Sequence, residues 1–459
     1  MKIINKDILK LAIPSILANI TVPLVGMVDI AVAGHLDTSA ATMIGGIAIG
    51  SMLFDLLYWN FGFLRVGTGG LAAQAFGRGD RRECARILAR ALGIALASAL
   101  VLILIQWVFV KAAFLVVDCT PEVRELASRY FFIRIWAAPA TLGLMALKGW
   151  FIGMQDSVSP MITDLTVNGM NVVMSIILAL GFSLGGLHYD GLGFSGVAAG
   201  TVVAQYSGLA VALALLLVKY RRNTLVHMER RDFSTLFKGG ETRRFFVMNA
   251  DLFVRSLCFI AIYIGFTIIS ARYGDVLLAV SSIMMKLLMI FSYFTDGFAY
   301  AGEALTGRYI GAGDKPMVRA AVKWTFIWSM GIALIFMAIY HFAGVSMLKL
   351  MTSDAAVVTA AGEYLPWLLL MPIAGCAAFT WDGIYIGATA SRQMRDSMLW
   401  AVAAFAGIWF VGIWSLDAFA GGSPSYDSLA MHLLMAAYFA HLLARTVYLS
   451  AKWRNVVLG

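Results

Sequence analysis

Apolar stretches of bilayer-crossing length recur along this whole chain. They fall at about 7–33, 41–66, 84–110, 124–150, 158–183, 191–218, 244–271, 275–302, 317–344, 357–386, 394–416 and 428–451. A helix needs about 20 such residues to cross the hydrocarbon core. The lipid offers no water to pair with backbone N–H and C=O groups, so only helices or closed barrels can span it. A barrel would show short segments alternating every second residue, and these runs do not. Charged residues make up 13% of the chain and apolar residues 61%, against about a quarter charged in soluble domains. The expectation is an all-α polytopic membrane protein with twelve transmembrane helices.

The chain also repeats itself. Leu71-Ala-Ala-Gln-Ala-Phe-Gly-Arg-Gly-Asp80 and Leu305-Thr-Gly-Arg-Tyr-Ile-Gly-Ala-Gly-Asp314 share Leu, two Gly and Asp at a spacing of 234 residues (305 minus 71). Gly149-Trp-Phe-Ile-Gly153 and Gly383-Ile-Tyr-Ile-Gly387 keep that spacing, as do Tyr130 and Tyr364. Two pseudo-symmetric six-helix bundles follow, at 1–218 and 244–459, joined by a basic linker at 219–243. Six spans per half give both halves one orientation, so an axis along the membrane normal should relate them. Paired bundles of this kind are common in secondary transporters.

Arg and Lys fix the sides. One set of loops carries Arg78, Arg81, Arg82 and Arg86, then the 219–243 segment, then Arg308, Lys315 and Arg319, then Arg392 and Arg395. Both termini add Lys to that side. The loops His35–Ala41, Ser183–Gly191 and Leu416–Ser428 have no Lys or Arg. The positive-inside rule places both termini in the cytoplasm. It also accounts for the net charge of +9 without nucleic-acid binding, since the basic residues are split among separate loops. The first span is too long for a cleavable signal segment. The four Cys have no metal or redox spacing.

Ionisable groups inside spans are costly, so each is a candidate for function. The first span holds Asp29 in Pro23-Leu-Val-Gly-Met-Val-Asp29. Pro23 removes a backbone hydrogen bond and Gly26 loosens the next turn, which suggests a hinge near a carboxyl that can exchange a proton. The fifth span carries Asn168, Asn171 and Ser175, with the last two on one face. The sixth carries Thr201. Their oxygens and amides can hold Asp29 or a cation, and they can equally serve as helix-packing glue.

The second half is polar in another way. Asp251 and Arg255 are four residues apart. Tyr293, Asp296, Tyr300 and Glu303 share a helix face. That face can receive a cationic aromatic compound, or it can belong to an internal network in which Arg255 pairs with Asp296 or Glu303. Lys148 and Asp382 occupy matching repeat positions near the inner ends of their spans. They can reach water there, or pair across the two bundles as a gate. Asp55, Asn60 and Arg65 are further polar groups with no assigned role. There is no Gly-x-x-x-x-Gly-Lys-Ser/Thr loop, no His-Glu-x-x-His and no Gly-x-Ser-x-Gly, which argues against ATP-driven pumping and intramembrane catalysis.

The segment Val22-Pro-Leu-Val-Gly-Met-Val-Asp-Ile-Ala-Val-Ala-Gly-His-Leu36 resembles the first-helix signature of multidrug and toxic compound extrusion (MATE) transporters, most closely their DNA-damage-inducible F (DinF) branch. Leu71–Gly77, the Asn-x-x-Asn of the fifth span, Asp296–Glu303 and Asp382–Thr389 are similar to that branch too. The resemblance covers nearly the whole chain. It implies an inner-membrane, cation-coupled antiporter that exports small organic, often cationic, compounds, and that works as a monomer without a cofactor. In the family the acid matched by Asp29 is essential for coupling, and its protonation is proposed to bend the first helix at the proline matched by Pro23. The family's cation site also uses an Asn and a Thr, matched by Asn171 and Thr201, and a second Asp that falls on Ser175 here. Losing one carboxylate disfavours Na⁺, a hard cation that prefers charged oxygens, and favours H⁺. A Na⁺-coupled drug antiporter, with Na⁺ at Asp29, Asn171 and Thr201, is one alternative, and a lipid-linked precursor flippase of the wider superfamily is another. It would draw on Lys148 and Arg255, although such flippases commonly have fourteen spans.

Overall fold

In the computed structural model, residues 2–34, 40–115, 117, 119–184, 187–238, 240–352, 354–420 and 423–459 are described. His35 and Leu36, and parts of the three loops without Lys or Arg, lie outside them. Among the described residues, twelve helical spans are long and apolar enough to cross a membrane, from Ile3–Asp29 to Tyr426–Val457.

Three spans of the first half are interrupted. The first is α1 (Lys2–Ile20) followed by α2 (Val22–Gly34), and the second is α3 (Ala40–Trp59) followed by α4 (Phe63–Gly77). After α5 (Arg81–Ala113), the fourth span is α6 (Pro121–Arg134), a 3-10 turn Ile135–Ala137, and α7 (Ala138–Gly153). The helices α8 (Val158–Leu180) and α9 (Phe194–Tyr220) complete this half. A short helix α10 (Arg230–Thr235) precedes six continuous spans: α11 (Gly240–Ala271), α12 (Asp275–Gly311), α13 (Lys315–Met351), α14 (Ala355–Gly387), α15 (Ser391–Ala420) and α16 (Tyr426–Val457). Among the described residues, two short strands are the non-helical elements. The α8–α9 connection, read from sequence as a plain loop, forms an antiparallel pair of strands, β1 (Phe182–Leu184) and β2 (Leu187–Tyr189), with Phe182 opposite Tyr189.

The break between α3 and α4 is stabilised by Asn60, whose Nδ2 donates to Leu56 O at 2.7 Å. The break between α1 and α2 falls at Thr21, two residues before Pro23. Proline cannot supply the N–H that would continue the helical ladder there, and the Thr21 hydroxyl donates to Ala18 O at 2.7 Å.

By contacts the chain divides into two compact units, Leu17–Phe245, and Met1–Ile16 together with Phe246–Gly459. These bounds differ from 1–218 and 244–459 for two physical reasons. The start of α1 packs on α12, where a Cβ on Gly297 would lie 2.4 Å from Ile16 Cγ1 and 2.8 Å from Ala12 O, and Trp328 Nε1 donates to Asn5 Oδ1 at 3.0 Å. The basic segment after α9 docks on α5. Arg82 donates to Asp232 through Nε and Nη2, and the buried Arg90 donates to Leu236 O at 3.0 Å.

The 234-residue repeat is visible as matched backbone contacts inside each unit. A Cβ on Gly149 would lie 2.1 Å from Arg65 O, and one on Gly383 would lie 2.1 Å from Ala299 O. Gly153 sits against Gly69 O, and Gly387 sits against Glu303 O. Each helix pair therefore approaches backbone to backbone, as small residues permit in membranes. The exits match as well. Gly79 and Gly313 both have φ of 73°, and Gln155 and Thr389 adopt positive φ of 64° and 55°. Tyr130 and Tyr364 are both fully buried.

Candidate coupling site

In the unit Leu17–Phe245, α2, α8 and α9 bring the N-terminal polar residues together. Asp29 is 6% exposed, Asn171 3%, Ser175 0% and Thr201 4%. Ser175 Oγ donates to Asp29 Oδ1 at 3.1 Å. Asn171 Nδ2 donates to Thr201 Oγ1 at 2.9 Å, and Asn171 Oδ1 is buried with no hydrogen-bond partner among the described residues. The α8–α9 contact fixes this arrangement. Gly196 packs on Leu178 O, and a Cβ on Gly200 would lie 2.6 Å from Ser175 N. The two helix backbones thus hold Ser175 at one depth while Thr201, the next residue, turns its hydroxyl to Asn171. The site can hold one carboxyl beside a hydroxyl donor and an open amide acceptor.

Asn168 serves a different part of the same assembly. Its Nδ2 donates to Thr21 Oγ1 at 2.6 Å, so it grips the break in the first span. Gly26, expected to share the hinge with Pro23, lies within a helical stretch of α2, and a Cβ there would meet nothing within 4 Å.

One cation here was not singled out from the sequence. Arg134, at the end of α6, acts electrostatically on both Asp29 and Asp55. Its Nη1 donates to Tyr130 Oη at 3.0 Å, and its guanidinium lies 4.8 Å from the Phe54 ring centre. The signal was present: Arg134 lies inside the 124–150 apolar run, where a charge is as informative as Asp29.

The second unit gathers its charges differently from expectation. Arg255 pairs with Asp382, with Nη2 to Oδ2 at 2.5 Å, and Arg445 donates to the same oxygen. Arg445 is 1% exposed, and it too was passed over although it lies inside the last apolar run. Asp251 Oδ1 accepts from Arg395 Nη1 at 2.6 Å and its Oδ2 from Ser391 Oγ at 2.9 Å, so Arg395 is more than a loop charge. Within its own unit, Lys148 Nζ meets Asp164 Oδ2 at 2.6 Å, where α8 passes beside α7. Tyr293, Asp296 and Tyr300 lie partly exposed on α12, and Glu303, further along it, is buried. Among the described residues no group of three or more His, Cys, Asp or Glu is placed to hold a metal ion.

Twelve apolar spans, backbone contacts repeated between halves, and a buried carboxyl beside a broken first helix define a polytopic membrane carrier. Comparison with known proteins makes this particular. The MatE family profile matches residues 14–177 and 252–422, one stretch in each half of the repeat. DNA damage-inducible protein F of Escherichia coli (strain K12) is 34% identical over 457 residues, covering 98% of this chain and 92% of that protein. A probable multidrug resistance protein NorM of Photorhabdus laumondii subsp. laumondii is 25% identical over 415 residues, covering 89% of this chain and 86% of that one. A solved MATE structure in the bent conformation superposes with a TM-score of 0.82 at 16% identity, covering 99% and 96% of the two chains. An outward-facing MATE family transporter gives 0.79 at 18%, covering 99% and 96%. At such identity these structures speak for the fold. This chain belongs to the MatE family of membrane transporters. It is a transporter and not an enzyme.

Proposed function

We propose that this protein exports organic, often cationic or amphipathic, toxic compounds across the bacterial inner membrane in exchange for protons, with both termini in the cytoplasm and the monomer as the working unit. The observation that carries the coupling ion is the Asp29–Ser175 hydrogen bond. Asp29 has a hydroxyl beside it where a second acid would make a cation site. One carboxylate with Asn171 and Thr201 is a poor set for Na⁺, which prefers charged oxygens, but it suffices for a proton. Relatives named for multidrug resistance support the export reading.

In this reading, a proton arriving from outside neutralises Asp29. It ends the attraction of Arg134, and the carboxyl can then donate as well as accept. The Thr21 break, held by Asn168, is the element whose geometry follows that change. A ligand shifts such an equilibrium only as far as its affinities for the two states differ, so substrate must bind the charged state better. Asp251, Arg255, Asp296, Glu303 and Asp382, with Tyr293 and Tyr300, serve packing, gating or substrate contact in the C-terminal unit.

The test is efflux of a fluorescent organic cation from vesicles, driven separately by a proton gradient and a sodium gradient. Proton-driven efflux that is lost in Asp29→Asn at normal membrane abundance is expected. Sodium-driven efflux alone, or undiminished Asp29→Asn activity, refutes the reading.

A further inference from the structure

Between α15 and α16, both in the second unit, lies a surface groove of about 700 Å³. That volume falls within the roughly 300–1,000 Å³ of ordinary ligand sites. Small residues, Ala404 and Ala444 among them, leave the hollow. Trp400, 61% exposed, and Val447, 67% exposed, stand on its walls. It runs along α16 from Leu443 to Lys452, ten residues spanning nine rises and so about 14 Å, which is close to half of a hydrocarbon core roughly 30 Å thick. Nearly all of the lining is apolar, and the charge is confined to one end.

That end is cationic. Lys452 is exposed in the last turns of α16, and Arg392 is exposed in the first turn of α15. Tyr448, on the wall, feels the charges of Asp396, Arg392 and Arg395. Arg395 is already paired with Asp251 and Asp396. Among the described residues neither Lys452 nor Arg392 has an ion-pair partner. Arg392 lies one residue from the start of the apolar span Ser391–Phe419 and Lys452 five residues from the end of Tyr426–Val457, and span ends are where lipid headgroups are met.

We infer that this groove is a binding site for an anionic phospholipid. One acyl chain lies against Trp400, Ala404, Ala444 and Val447, and the phosphate faces Lys452 and Arg392 with the Tyr448 hydroxyl beside it. A zwitterionic lipid fills the apolar part equally well, but its own cation opposes the two on the protein. Basic groups at a membrane surface favour anionic lipid by about fivefold each, so two of them together give a preference of about 25-fold.

The test uses the full chain in phosphatidylcholine nanodiscs that carry a fixed minor fraction of either brominated phosphatidylglycerol or brominated phosphatidylcholine. The chain has 12 Trp, so the Trp400 signal is the difference between the native protein and Trp400→Phe. Stronger quenching of that signal by the anionic lipid is expected. The preference should vanish in Lys452→Gln/Arg392→Gln and persist in Lys452→Arg. Equal quenching by the two lipids, a preference unchanged in the double variant, or no quenching because a second copy covers the groove overturns the proposal. Lipids retained through native mass spectrometry give a second readout: loss of bound phosphatidylglycerol in the double variant supports the site, and its retention refutes it.

Discussion

Gly383→Ala should be among the most damaging single-methyl additions to this protein. The new Cβ would lie 2.1 Å from Ala299 O, 2.6 Å from Ala299 C and 2.8 Å from Ala299 Cα. Ordinary contact begins near 3.4 Å, so α14 and α12 would have to part by about 1.3 Å. The obstructing atoms are backbone and no rotamer change relieves them. Gly387 packs on Glu303 O one turn further along, so separation at one glycine also loosens the other. Over-packing costs about 1–3 kcal/mol, and the upper end applies here. Gly149→Ala makes the same 2.1 Å contact with Arg65 O and should cost the same. Gly407→Ala is the control, since its Cβ would meet nothing within 4 Å and a helical Gly→Ala change stabilises by roughly 0.5–1 kcal/mol. Thermal unfolding of the purified proteins in one detergent should place both repeat variants well below the native protein and Gly407→Ala at or above it. Repeat variants that melt with the native protein would show that the helices do not touch at these glycines.

Ser175→Ala removes the donor to Asp29 and should lower proton-driven efflux, whereas Ser175→Asp supplies the missing carboxylate and should make efflux respond to a sodium gradient in the same vesicles. Asp382→Leu leaves Arg255 and the buried Arg445 without their shared carboxylate and should destabilise by about 3–5 kcal/mol, as an uncompensated buried charge does; unfolding midpoints measure it. In the docked segment after α9, the Arg82 hydrogen bonds hold the Asp232 carboxyl below its usual 3.8. Its contribution is therefore complete above that pH and fades as pH falls through the lower folded value. Cleavage of residues 221–238 by a protease active at neutral pH should rise in Asp232→Asn, while the native protein should become comparably susceptible only in strong acid, to pepsin. Asp156 follows the same sign. Burial opposes its charge, but hydrogen bonds from Ser159 and Lys219 hold it below the usual range, so Lys219→Met should loosen the α7–α8 turn at neutral pH, read as faster amide exchange there.

Much of the architecture was legible because the bilayer imposes a length and polarity that any reader can measure. The repeat was legible because glycine at a backbone contact admits no substitute. The pairing of charges was not. Arg255 could reach several acids by helix spacing, and only the approach of α11, α14 and α16 selects Asp382, with Arg445 as the second partner. Lys148 likewise met Asp164 on the neighbouring helix, because a local partner costs less ordering than a distant one. Arg134 was legible as a charge inside an apolar run, but its place beside Asp29 and Asp55 was not, because it ends α6 at a 3-10 turn that no hydropathy pattern marks. The Asp29–Ser175 and Asn171–Thr201 bonds were half legible: the residue types were visible, but their register depends on Gly196 and Gly200.

The matched glycines carry a historical consequence. Contacts that coincide atom for atom at one fixed spacing are what the duplication of a six-span ancestor leaves behind. The polar centres do not coincide: at the same spacing Asp29 falls on Tyr263, Asn171 on Phe405 and Thr201 on Met435. The scaffold therefore predates the split between the halves, and the division of labour came after it. A chimera that exchanges residues 149–155 with 383–389 moves inherited scaffold alone, whereas exchanging the segments around Asp29 and Tyr263 moves what each copy acquired for itself.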